Sequence, residues 1–109
     1  MKPRIMYVEL KTHGGGHDDN GPAWISRVTF SKTGRTIYWR NKRLRRGKRG
    51  CANHFDLDTG DTYWISGPKK NGEDRYPWAA EKVRIDPDVR QEYWTQIRRQ
   101  PNKVNEEFA

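Results

Sequence analysis

Two stretches of this chain alternate large apolar and polar residues, and a short glycine-bearing turn breaks each of them. In the first, residues 24–31 (WISRVTFS) put Trp24, Val28 and Phe30 on one face and Arg27 with Thr29 on the other. Lys32-Thr33-Gly34-Arg35 follows, and residues 36–40 (TIYWR) return, separating Ile37 and Trp39 from Tyr38 and Arg40. The second stretch pairs residues 52–57 (ANHFDL) with 61–65 (DTYWI) across Asp58-Thr59-Gly60, with Tyr63 and Ile65 opposed to Trp64. A period of two belongs to a strand with one buried face, and glycine supplies the positive φ that a tight turn demands. Two antiparallel hairpins in a chain of 109 residues leave little room for an architecture that is not mainly β.

Residues 5–11 (IMYVELK) read as a first strand and residues 82–85 (KVRI) as a short last one. Three segments read as loops: 13–22 (HGGGHDDNGP), the basic 41–50 (NKRLRRGKRG, with Leu44 its one apolar residue) and 66–77 (SGPKKNGEDRYP). A helix is expected over 87–99. Asp86 can cap it, Pro87 suits its first position, and Asp88 places a negative charge at the positive end of the dipole. Val89, Tyr93 and Ile97 recur at helical spacing with Trp94 beside them, and Pro101 stops the helix after Arg98 and Arg99. The expected fold is therefore mainly β (α+β). It is a small bent antiparallel sheet or SH3-like barrel built from hairpins, with one C-terminal helix packed across an open end or face. Residues 1–100 form a single domain and residues 101–109 a polar tail.

Leu, Ile, Val and Phe together number only 17 of 109 residues, a level at which disorder competes with folding. Five Trp and five Tyr offset that deficit, since each aromatic buries roughly 150–250 Å². The core should be thin, aromatic and of modest stability. The single cysteine, Cys51, cannot form an internal disulfide, whereas a small secreted domain would normally carry several. The first residues lack the apolar run of a signal peptide, and no stretch approaches the ~20 apolar residues that span a bilayer. The expectation is a cytoplasmic protein with no membrane association.

Charge is distributed unevenly. Residues 24–49 hold ten Lys and Arg and no Asp or Glu, a local +10, while the remainder of the chain is close to neutral at −2. Within residues 40–49 lie Arg40, Lys42, Arg43, Arg45, Arg46, Lys48 and Arg49, a density that neutralises phosphates and releases their counterions. Arg27 lies on the same polar face, and Lys69, Lys70 and Arg75 extend the set from the later loop. Tyr38 and Trp64, turned away from the core by the alternation, are candidates for stacking on bases. The function expected is that of a small basic nucleic-acid-binding module, contacting RNA or DNA without catalysis. The alternative is a protein–protein interaction or accessory module with a groove of aromatics.

Other motifs are weaker. His13, His17, Asp18 and Asp19, with Cys51 and His54 elsewhere, superficially suggest zinc, but their spacing fits no closed zinc motif. Ser66-x-x-Lys69 lacks the helical context of a nucleophilic serine, and Gly67-x₄-Gly72 has Glu73 where a phosphate loop requires lysine. No metal, cofactor or catalytic residue is assigned. Gly67 and Gly72 are read as shaping a bent loop that Asp74 or Arg75 ties to the sheet; Glu73, Asp74 and Arg75 form a small polar cluster there.

The runs SKTGRTIYWRNK, FDLDTGDTYWISGPKKNGEDR and DPDVRQEYWTQIR resemble those of a group of small uncharacterised bacterial proteins of about this length. The resemblance covers most of residues 5–100, and the WISGPKKNG-DR run is its most specific part. It implies a shared hairpin framework and no particular activity. RLRRGKR, between the hairpins, departs from the more neutral sequence typical of that group.

Overall fold

The computed structural model describes residues 2–13, 16–17, 21–75, 79 and 81–109. Its strands are β1 (Arg4–Leu10), β2 (Thr12–His13), β3 (Gly16–His17), β4 (Ala23–Phe30), β5 (Thr36–Trp39), β6 (Lys42–Arg49), β7 (Ala52–Asp56), β8 (Thr62–Ser66) and β9 (Arg84–Ile85). Strands β1, β8, β7, β6, β5 and β4 pair in that order, and β4 pairs again with β1, so the six form a closed antiparallel ring. Closure falls on the long strand β4. One of its edges meets β1 from Ala23 to Val28; the other is shared between β5, at Thr29 and Phe30, and the parallel β9, at Trp24 and Ile25.

Both expected hairpins form, and their glycines adopt the positive φ anticipated for them, 78° at Gly34 and 81° at Gly60. The basic segment, however, is not a loop. Residues Lys42–Arg49 are a strand pairing with β5 on one side and β7 on the other. Its ends are set by two-residue turns. Arg40 and Asn41 take φ of 49° and 63° between the paired Trp39 and Lys42, and Gly50-Cys51 joins the paired Arg49 and Ala52. Left-handed residues at both central positions of the Arg40-Asn41 turn, and at Gly50 of the second, give the twist that hairpin strands need. The segment conceals its strand character because only Leu44 is buried on it. Hydrogen bonds from two neighbours hold it, in place of an apolar face. The segment read as a loop over 13–22 also contains structure, the small β2–β3 ribbon pairing Thr12 with His17 and His13 with Gly16.

Alternation along the strands produces two cores. Met6, Val8, Val28, Ile37, Trp39, Leu44, Tyr63 and Ile65 fill the inside of the ring. Ile5, Tyr7, Ala23 and Ile25, from the opposite faces of β1 and β4, pack outside it against Val83, Ile85, Val89, Tyr93 and Trp94. Strand β1 is thus buried on both faces, which is why IMYV reads as an unbroken apolar run.

The C-terminal helix covers that outer face over residues 87–97. It consists of a 3₁₀ turn (Pro87–Val89), an α turn (Arg90–Glu92) and a π turn (Tyr93–Ile97). Val89, Tyr93 and Trp94 are buried as their spacing predicts. Asp86 does not cap the helix with its side chain. Its two carboxylate oxygens are drawn off instead, one accepting from the Ser26 hydroxyl and the other pairing with Arg40 at 2.7 Å.

Residues 101–109, polar in composition, return to the fold. Pro101–Lys103 is a further 3₁₀ turn, Glu106 O accepts from Trp94 Nε1 at 3.0 Å, and the amides of Ile85 and Ala109 donate to Glu107 O and Val83 O at 2.8 and 3.0 Å. Among the described residues, no helix is long and apolar enough to cross a membrane.

Candidate nucleic-acid interface

The helix covers the outside of the ring only over β1 and β4. On strands β5 to β8 the outer face presents Tyr38, Arg43, Arg45 and Trp64 as exposed side chains, while Thr36 and Thr62 are buried within it. Cross-strand registers place its side chains in two rows. Thr29, Tyr38 and Arg43 are successive partners across β4, β5 and β6. Thr36, Arg45, Phe55 and Thr62 are successive partners across β5 to β8. Trp64 extends this face along β8; on β6 a register shift between Arg46 and Arg49 pairs Arg49 with Ala52, and the Arg49 guanidinium reaches back over the Phe55 ring at 4.3 Å. Tyr38 is 42% exposed and Trp64 39%, so both stacking candidates lie on the surface, Tyr38 on β5 beside the cations of β6 and Trp64 on β8 with β7 between.

An open cleft of about 660 Å³ marks one end of this face, lined by Arg27, Thr29, Tyr38, Arg40, Lys42 and Arg43 among others. The cations there differ in availability. Arg27 sits at the edge of the helix and pairs with Glu92 at 3.1 Å and Asp88 at 3.9 Å. Arg40 is committed: besides Asp86, its guanidinium lies 4.9 Å from the Trp24 ring and 4.7 Å from Trp39. Lys42 is 3.8 Å from the buried Asp56 carboxylate. Arg43 holds Asp58 at 2.8 Å, an exposed pair that keeps the Asp58 carboxyl below its ordinary range, chiefly through the hydrogen bond. Such a pair is easily exchanged for another anion.

Among the described residues, no carboxylate pairs with Arg45, Arg46, Lys48 or Arg49. Arg45 lies on the outer face beside Phe55, and the Arg49 guanidinium joins it there by lying over the Phe55 ring. Arg46 has the parity of Leu44 but lies beyond the core, opposite His54. His54 is buried, and burial, with a smaller contribution from Arg46, pushes its imidazole down to about 4. The imidazole is therefore neutral at physiological pH, and its Nδ1 lies 2.9 Å from Asn53 Oδ1.

The second predicted group is not brought into this patch as a unit. Lys69 and Lys70 are exposed on the 66–75 loop. Arg75 turns inward and donates to the Gly21 carbonyl, while Asp74 Oδ1 accepts from the Lys69 amide at 2.8 Å. Gly72, at φ 78°, lies against the Arg98 guanidinium. Asp74 and Arg75 tie down the bent loop, and the Glu73 amide is held by Asn71 Oδ1 at 2.9 Å.

Among the described residues, no cluster of three or more His, Cys, Asp or Glu is placed to hold a metal. The side chains of His13 and His17, with Asp18 and Asp19, lie outside the described residues.

Phe55 is a surface residue that the sequence reading overlooks. The burial of Ala52, His54 and Asp56 turns Asn53 and Phe55 outward, so Phe55 is an apolar residue at polar parity. That parity was the available signal. No family model matches this chain, and neither a curated protein nor a solved structure matches it at a significant level.

Proposed function

We propose that the protein is a small nucleic-acid-binding module that uses the outer face of β5 to β8. The observation that carries this reading is the contrast between the two halves of the ring's exterior. One half is sealed by the helix; the other carries arginines, Arg45 and Arg49 among them, that have no carboxylate partner among the described residues. Arg43, Arg45, Arg46, Lys48 and Arg49 supply phosphate contacts, with Lys69 and Lys70 at greater distance. Arg27 joins them if its helix carboxylates yield, whereas Arg40 and Arg75 serve the fold. Tyr38 and Trp64 add stacking. An interaction module with an aromatic groove has less support, because four cations, Arg27, Arg40, Lys42 and Arg43, line the cleft beside Tyr38 and Trp39. We place the protein in the cytoplasm on the strength of its lone cysteine, Cys51, which is exposed and cannot form an internal disulfide. The ring of short bent strands suits an SH3-like description, with the ligand on its exterior.

The test is fluorescence anisotropy with a mixed-sequence oligonucleotide across a series of salt concentrations. Neutralising about five phosphates of a single strand gives a slope of log K against log salt of about −3.5. No binding at low salt, or a flat response, refutes the reading.

A further inference from the structure

The geometry points to a base-stacking seat at Phe55, with Arg49 as its movable cover, and hence to single-stranded nucleic acid as the preferred ligand of the open face. This rests on the nucleic-acid reading above and specifies the form of its ligand. Phe55 leans from β7 across β6 onto Gly47. A Cβ at that glycine would come within 2.9 Å of Phe55 Cε1, so the ring occupies space that any other residue would deny it. The Arg49 guanidinium lies 4.3 Å from the ring centroid. Its own hydrogen bond is a long one, 3.3 Å to the carbonyl of the adjacent Lys48, and it is exposed. Little holds this cover down.

A base entering the seat trades one cation–π contact for aromatic stacking and frees the guanidinium to pair with a phosphate. A second stacking surface lies close by. Thr62 is the cross-strand partner of Phe55, so Trp64 is its diagonal neighbour, at a typical separation of roughly 7–8 Å. Tyr38 stands two strands away from Phe55 and two residues along them, about 12 Å at ordinary strand spacing and rise. Outward-facing aromatics on three of four adjacent strands, two exposed and Phe55 half-buried, are interleaved with arginines and suit a chain whose bases are splayed. A duplex keeps its base faces stacked inside and meets only the cations.

The test uses the full chain with a twelve-nucleotide single strand, as DNA and as RNA, and with the corresponding DNA duplex, each at several salt concentrations. Single strands are expected to bind at least tenfold more tightly than the duplex at equal salt. Phe55→Leu, which keeps apolar bulk and removes the π face, is expected to weaken single-strand binding about 5- to 100-fold. The variant leaves duplex binding and the salt slope unchanged, and Phe55→Tyr restores affinity. Ultraviolet cross-linking of the wild-type complex, mapped by mass spectrometry, needs no variant and is expected to mark Phe55. Equal or tighter duplex binding, unchanged single-strand affinity in a folded Phe55→Leu, or cross-links that exclude Phe55 overturn the inference and leave salt-dependent phosphate binding standing. Failure of every probe to bind at low salt removes the nucleic-acid reading itself.

Discussion

Arg40 joins three parts of the molecule through one side chain. Its backbone takes the left-handed conformation of a hairpin turn, its guanidinium rests on two indoles, and its charge reaches the first residue before the helix. Ser26 completes the link, accepting from Trp39 Nε1 at 2.8 Å and donating to Asp86. Replacing Asp86 by Ala strands a buried hydroxyl and releases Arg40, and should destabilise the protein by about 2 kcal/mol in urea unfolding.

His54 provides a second test at this scale. Its folded pKa lies below the unfolded one, so the unfolded chain binds a proton first as pH falls. The stabilising contribution is complete above about 6.5 and is lost on descending toward 4, at up to ~1.4 kcal/mol per pH unit. Between pH 7 and 5 the unfolding free energy should decline, and His54→Gln should flatten that decline. The inward or outward direction of Tyr38, Trp39, Tyr63 and Trp64 was legible from alternation alone. The partners of Asp86 were not, because the cap position describes backbone geometry and cannot anticipate an arginine from 46 residues earlier in the chain.

At the level of elements, the hairpins and the helix stripe follow from local periodicity, whereas β6 defies it. A strand flanked on both sides by hydrogen-bonded neighbours can expose nearly every side chain, so its sequence carries almost no apolar signal. The segment 66–75 poses the converse case, a loop whose order comes from the residues it touches. Gly72 needs positive φ and lies against Arg98, which in turn bonds Tyr93 Oη at 3.1 Å and covers Trp94 at 4.8 Å. Gly72→Ala combines backbone strain with displacement of that guanidinium. It should lower stability by about 1–2 kcal/mol, measured as a shift in the denaturation midpoint at unchanged slope.

Across the whole molecule, the arrangement separates packing from charge. Helix, β9 and the C-terminal residues all collect on the β1–β4 side, and the arginines of β6, most of them with no carboxylate partner among the described residues, are left on the other. Replacing Arg43, Arg45 and Arg46 together by Gln should leave stability nearly unchanged, since these side chains are exposed. It should also reduce the magnitude of the salt slope for single-strand binding by about 2, as anisotropy titrations would read it.

Sequence by itself determined what depends on neighbours in the chain: strand parity, the two glycine turns, the apolar stripe of the helix and the acid-free run of cations. Only the tertiary structure decided which faces are covered. Ring closure pairs residues 4–9 with 23–28, and the helix then seals the outside of those two strands. These are choices among long-range contacts that local periodicity does not encode. The same is true of the Phe55 seat, which needs a glycine on one strand, an aromatic on the next and a register that brings them together.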